Sequence, residues 1–366
     1  MQETTRLAGL IQERIGDILE QHRNELAALG ADAAPLLDEA KRFLTGGKRF
    51  RAQFAILGYR SVRELDIIDD VHGPAAPVLD AACALEFFHA AALIHDDIID
   101  RSDTRRGRPS VHRVFAELHG GHRWAGDPEH FGIAGAILLG DLLQSWADEL
   151  MQRACAAAIS PGAAQAARAH FNRMRSEVAV GQYLDVLEEQ QSEFAAHDEQ
   201  LERSTRVLVY KSAKYSVEAP LLIGAALAGA DEEQEQALRD YGLPIGVAFQ
   251  LRDDLLGVFG DASITGKPAG DDLVEGKRTV LVTLARENLP GTQRRIFDDL
   301  LGNDLEPEQV AILQRTIRES GAVDRVEQMI ARNVERAISS LEHSPTRRDA
   351  SEALTRLADR AARREF

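Results

Sequence analysis

Apolar residues recur every three to four positions along most of this chain, and nowhere do they alternate for long enough to read as strands. Leu7, Leu10, Ile11, Ile15, Ile18 and Leu19 predict an amphipathic helix over residues 5–29. Pro35 suits the first turn of a second helix, which carries Leu36, Leu37, Ala40, Phe43 and Leu44 and is stopped by Gly46-Gly47. A further apolar run begins at Phe54, and the polar stretch 64–77 reads as a loop. From Val78 the chain is almost wholly apolar and helix-compatible until it meets His95-Asp96-Asp97-Ile98-Ile99-Asp100. Residues 101–132, rich in Gly, His, Arg and Pro, read as irregular. Helical spacing resumes at Ile133, breaks at Ser160-Pro161-Gly162, and returns over 163–190. It then continues to the last residues with breaks at Asn288-Leu289-Pro290-Gly291 and Ser344-Pro345. The expectation is an all-α protein.

Composition supports that reading. Of 366 residues, 44% are hydrophobic and only 5% aromatic, which favours helices over a β-sandwich or barrel. Lys and Arg number 43 against 59 for Asp and Glu, so the chain as a whole repels nucleic acid and anionic lipid. Any phosphate must be held by local basic clusters or by metal ions. Cys83 and Cys155 sit inside apolar helical patterns, which fits buried thiols in a reducing compartment. No apolar run reads as a membrane span and the polar start lacks a signal-peptide core, so the expected location is cytoplasmic, with no integral membrane segment.

The first acidic stretch puts charge at the end of a buried helix. Asp96 and Asp100 lie on one face, with Asp97 about 100° away. Three carboxylates this close raise one another's pKa unless a cation joins them, and hard oxygen donors suit Mg²⁺; the plainer alternative is an exposed acidic helix end. Lys48-Arg49-Phe50-Arg51 after Gly46-Gly47 is either a phosphate site or a solvated charge run. Lys211, in Tyr210-Lys211-Ser212, either snorkels to the surface or serves an anion. A second acidic helix end, Asp253-Asp254, leads into Gly266-Lys267-Pro268-Ala269-Gly270-Asp271-Asp272 and Lys277-Arg278-Thr279, interleaving acids and bases over a short span. Two such ends facing one another across a cavity would bind Mg²⁺ around one diphosphate and make it a better leaving group.

These residues, in this order, resemble the polyprenyl synthetase family of trans-prenyl diphosphate synthases. The matching residues are Gly46-Gly47-Lys48-Arg49-Phe50-Arg51, Glu86 with His89, and Asp96-Asp97-Ile98-Ile99-Asp100 with Arg105-Arg106-Gly107. Lys211-Ser212, Phe249-Gln250 with Asp253-Asp254, Gly266-Lys267-Pro268 and Lys277-Arg278-Thr279 complete the set, which covers about 40 to 285. The resemblance implies a single domain over 1–366, an isoprenoid-synthase-type helical bundle around a central cavity, and a homodimer. It also implies condensation of isopentenyl diphosphate with dimethylallyl, geranyl or farnesyl diphosphate. By the same carry-over, Asp96, Asp97, Asp100, Asp253 and Asp254 hold Mg²⁺, while Arg105, Lys211 and Lys267 assist the allylic diphosphate. Lys48, Arg51, His89 and Arg106 seat isopentenyl diphosphate, Lys277 adds to substrate binding, and Ser212 and Gln250 lie near the allylic cation. Released pyrophosphate is the implied proton acceptor, which leaves His95, His112 and Asp141 structural roles.

The chain departs from the family at Gly257, where the second motif often carries a third aspartate; Asp261 or Asp271 is the expected substitute. Product length should follow pocket depth. Ala91 and Ala92, one turn before Asp96, leave room, and Phe87 and Phe88 would close a floor about 12 Å from Asp96. Geranylgeranyl diphosphate is therefore the preferred product, with farnesyl or longer chains as alternatives. A class I terpene cyclase would not need the basic cluster. A non-catalytic subunit would be expected to lose Asp96, Asp97 or Lys267, and all three are present.

Overall fold

Ile11, Ile15 and Ile18, four and three residues apart, form the fully buried edge of the first helix, α1 (Gln2–Glu25). That helix ends earlier than its periodicity predicts, because short 3₁₀ turns take over at Ala27–Leu29 and Ala31–Ala33. The computed structural model describes residues 2–65, 75–191, 199–261, 269–303 and 305–363. They form two compact units: Met1–Phe171 with Pro220–Glu235 and Arg347–Ala350, and Asn172–Ala219 with Gln236–Thr346 and Ser351–Phe366.

In the first unit, α2 (Ala34–Leu44) opens on Pro35 and stops at Gly46 and Gly47, whose φ of 78° and 94° turn the chain. Next come α3 (Phe50–Val62) and α4 (Ala76–Ile99). From Val78 to Phe88 α4 is buried on every side, packed with α3 and a later helix, α6, and this explains why that stretch is almost wholly apolar. Its 24 residues are long and apolar enough to cross a membrane by composition, which corrects the expectation that no segment qualifies; most of it is core. The stretch expected to be irregular contains α5 (Val111–His122), whose Val111, Phe115 and His119, four residues apart, are buried. Asp127 caps α6 (Pro128–Ala156) by accepting the amide of Glu129 at 3.0 Å, so that helix starts before Ile133. Buried Asp80 on α4 accepts Arg14 of α1 at 2.8 Å and Arg153 of α6 at 3.2 Å, fixing three helices at one carboxylate.

α7 (Pro161–Gln191) enters the second unit, where α8 (Gln200–Val207) passes directly into a π-helical segment, Leu208–Glu218. α9 (Ala219–Leu227) belongs mostly to the first unit, and α10 (Glu232–Phe259) carries the second acidic stretch. The short α11 (Asp271–Val274) precedes α12 (Val280–Asn288), which Thr279 caps by accepting the amide of Val282. α13 (Gly291–Leu300), α14 (Pro307–Glu319), α15 (Ala322–Leu341) and α16 (Arg348–Arg363) complete the chain. Leu251, Leu255, Leu273, Leu284, Phe297 and Ile317 are among the buried side chains that join these helices in one apolar core. Among the described residues the sheet content is one pair of two-residue strands, β1 (Thr104–Arg105) and β2 (Arg108–Pro109), so the all-α expectation holds.

Candidate active site

Three aspartates end α4, at the pole where a helix already carries negative partial charge. The chain deals with one of them by doubling back. β1 and β2 pair Arg105 with Arg108, leaving Arg106-Gly107 as a two-residue turn with φ of 55° and 70°, the doubly positive φ of a type I′ turn. The hairpin lays the Arg105 guanidinium against Asp97: Nε donates to Oδ1 at 2.7 Å, Nη2 donates to the same oxygen, and Nη2 lies 3.6 Å from Asp96 Oδ2. Asp97 is fully buried in this pair, whereas Asp96 and Asp100 remain partly exposed on one face. Arg42 of α2 donates to the carbonyl of Pro109 at 3.3 Å and tethers the hairpin.

The basic cluster divides in two. Lys48 is exposed and Arg51 partly so, but Arg49 is buried, in a left-handed conformation with φ of 51°. Its Nη1 reaches Glu86 Oε2 at 3.1 Å, and its Nη2 donates to Gln12 Oε1 at 2.6 Å and to the carbonyl of Leu44. Gln12 Oε1 also accepts the amide of Gly46 at 2.8 Å. Gln12 therefore holds the glycine turn and the arginine together, a role that no local pattern in the sequence reveals. His89, one turn before Leu93 on α4, is held well below the usual imidazole range by burial first and then by the positive charges of Arg51, Arg106, Arg105 and Arg49. Of those four guanidiniums, Arg49 is paired with Glu86 and Arg105 with Asp97.

Farther back on α4, Phe88, Ala92 and Asp96 share one face, being four residues apart. Ala92 is partly exposed, while Ala91 and Phe87 are fully buried. Phe87 meets Trp146 edge-on at 6.2 Å, and Phe88 meets Phe171 at 6.3 Å. The two phenylalanines thus point to different neighbours, and it is Phe88 that stands in line with the carboxylates. His95 Nε2 lies 3.3 Å from the carbonyl of Ile137 and 3.6 Å from Asp141, and His112 contacts Ser110 Oγ at 3.2 Å.

In the second unit, the π-helical segment lies close to two helices. A side chain at Gly181 of α7 would start 2.5 Å from the backbone of Lys211, and one at Gly246 of α10 would start 2.2 Å from the carbonyl of Ala213. This contact places Lys211 Nζ 2.5 Å from Asp185 Oδ2 and Lys214 Nζ 2.8 Å from Glu177, both on α7. Lys211 is thus paired with Asp185, a carboxylate that lies 26 residues earlier in the chain. Ser212, its neighbour, is partly buried. On α10 the Gln250 amide donates to Asp254 Oδ1 at 2.9 Å. Asp254 is buried, and burial, together with Asp272, Asp253 and Asp185, pushes its carboxyl well above the usual range while Gln250 opposes the shift. Asp253 stays partly exposed. Lys277 Nζ is 2.5 Å from Glu275, and Lys267 lies outside the described residues.

The polyprenyl synthetase family pattern matches residues 34–319. This chain belongs to the polyprenyl synthetase family. It is 33% identical to the geranylgeranyl diphosphate synthase of Methanosarcina mazei over 336 residues, 90% of each chain. It is 32% identical to a short chain isoprenyl diphosphate synthase of Methanocaldococcus jannaschii over 293 residues, 78% of this chain and 77% of that one. A crystal structure of geranylgeranyl pyrophosphate synthase from Corynebacterium glutamicum, complexed with isoprenyl diphosphate and magnesium, superposes with a TM-score of 0.90 at 37% identity over 99% of both chains.

Proposed function

We propose that this protein is a Mg²⁺-dependent prenyl diphosphate synthase that condenses isopentenyl diphosphate with allylic diphosphates, with geranylgeranyl diphosphate as its product. The observation that carries the reading is α4 itself. One helix brings an anion-seeking cluster around His89 next to a carboxylate end that, without a cation, repels anions. A diphosphate reconciles the two when metal accompanies it.

Arg51, Arg106 and Lys48 supply charge for isopentenyl diphosphate, and the neutral His89 ring supplies an N–H without adding charge. Arg105 keeps Asp97 neutralised and so positions the acidic turn. Asp96 and Asp100, and Asp253 in the second unit, are the carboxylates that would hold Mg²⁺. Among the described residues no three acidic, imidazole or thiol groups form a self-sufficient metal site. Mg²⁺ ordinarily takes one or two carboxylates and completes its shell with water and phosphate. When bound, Mg²⁺ neutralises charge that develops on a departing diphosphate. Lys211, oriented by Asp185, adds charge to the allylic diphosphate, and the Ser212 and Gln250 oxygens steady an allylic cation without trapping it.

Product length follows from the Phe88, Ala92 and Asp96 face, where a small side chain precedes an aromatic one. Exposed Trp124, Phe131, Ile137 and Leu138 around the start of α6 support a homodimer, and the free thiols of Cys83 and Cys155 fit the cytoplasm. Purified protein given Mg²⁺, isopentenyl diphosphate and each allylic diphosphate in turn should yield geranylgeranyl diphosphate by chromatography. Absence of elongation by the protein alone would sink the proposal.

A further inference from the structure

Gln12 belongs to α1, outside residues 34–319 that carry the family pattern, yet its side chain reaches the turn that delivers the basic cluster. One oxygen, Oε1, accepts the amide of Gly46 at 2.8 Å and Nη2 of Arg49 at 2.6 Å. The two donors bracket a turn of unfavourable backbone: Gly46, Gly47 and Arg49 have φ of 78°, 94° and 51°, and for an arginine that left-handed conformation is costly. The turn joins α2 to α3, carries Lys48 and leads into Arg51. A side chain at Gly47 would start 3.8 Å from Nη1 of Arg106. Lys48, Arg51 and Arg106, the cations assigned to isopentenyl diphosphate, are thus carried by or lie against backbone that Gln12 holds.

The hold is firm because α1 is itself fixed. Ile11 and Ile15, neighbours of Gln12 along the helix, are fully buried, and Arg14 is bound to Asp80 of α4 at 2.8 Å. Within the turn, Gln53 of α3 donates to the carbonyl of Lys48 at 2.6 Å, a second fastening. We propose that Gln12 is a positioning residue for isopentenyl diphosphate: from α1 it fixes the glycine turn, and so sets the spacing of Lys48, Arg51 and Arg106 without touching the substrate. The proposal rests on the synthase reading above and adds to it a residue from the helix that precedes the family pattern. Its chemistry is specific. One acceptor oxygen at this reach serves two donors, which leucine of similar bulk cannot do and glutamate can. The allylic diphosphate, assigned to the carboxylate end of α4, does not depend on the turn, so the effect falls on one of the two substrates.

The test compares wild type with Gln12→Leu, Gln12→Glu, Gln12→Asn and Ile15→Val, reading kcat, the KM for isopentenyl diphosphate, the KM for farnesyl diphosphate and the melting temperature. Gln12→Leu should raise the KM for isopentenyl diphosphate about tenfold, as misplaced binding groups do, and leave the KM for farnesyl diphosphate unchanged. Gln12→Asn withdraws the oxygen by one methylene and should show the same selective rise, which keeps the test decisive if the leucine variant does not fold. Gln12→Glu should restore the wild-type KM. Ile15→Val removes a methylene from the buried edge of α1 and should lower the melting temperature with both KM values intact. A wild-type KM for isopentenyl diphosphate in Gln12→Leu or Gln12→Asn, an equal rise for both substrates, a glutamate variant as weak as the leucine one, or a raised KM in Ile15→Val overturns the proposal and leaves the synthase reading intact. A wild-type protein that does not elongate overturns both.

Discussion

Arg49 Nη1 and Glu86 Oε2 lie 3.1 Å apart, each residue only 5% exposed, with the arginine in a left-handed backbone conformation. Glu86 also accepts the amide of Ala52 at 3.3 Å, so one carboxylate serves the arginine and the first turn of α3 together. Removing its charge leaves a buried guanidinium uncompensated, which costs about 3 kcal/mol or more. Glu86→Gln should lower stability by that order in denaturant titration and raise the KM for isopentenyl diphosphate, because Arg51 rides on the same turn. An unchanged midpoint would show that Arg49 is neutralised elsewhere.

His89 gives a pH signature. Above the ordinary imidazole value of 6.5 the ring is neutral both folded and unfolded, and it contributes no pH dependence. As pH falls below 6.5 the unfolded chain takes up a proton that the folded chain refuses, so stability declines toward the depressed folded value. Melting temperature should therefore drop between pH 7 and pH 5, and His89→Asn should flatten part of that drop. A variant with the wild-type slope would exclude His89 as its source.

Phe87 and Phe88, adjacent in sequence, should behave differently. Phe88→Ala is expected to lengthen the product by opening the face that leads to Asp96. Phe87→Ala, with its ring against Trp146, is expected to cost about 3 kcal/mol or more of stability and to leave product length alone. Product chromatography and thermal melts on the two variants separate the roles; a longer product from Phe87→Ala alone would reverse the assignment.

Much of the architecture was legible because helix spacing is a local property. Ile11, Ile15 and Ile18 are buried at the positions their periodicity requires, and Pro35 opens α2. α5 escaped because Gly and His dilute its buried stripe of Val111, His112, Phe115, Ala116 and His119. The π-helical segment was beyond reach from local spacing, and its close neighbours Gly181 and Gly246 are distant in sequence. The same distinction runs through the site. Sequence placed Lys48, Arg49 and Arg51 in one basic group, but only tertiary contacts with Gln12 and Glu86 turn Arg49 inward. Lys211 and Lys277 acquire Asp185 and Glu275 for the same reason, and the carboxylate beside Gly257 comes from Asp272.

α4 holds His89 near the basic cluster, Asp96 and Asp100 at its acidic end, and Phe88 in line with them, all on one rigid rod. Side chains return to a given edge of a helix only once per turn, so a residue on α4 can change the room beside the carboxylates only in steps of about 5.4 Å. Substitutions along this edge should therefore shift the enzyme between discrete products, with no continuous drift in length between them.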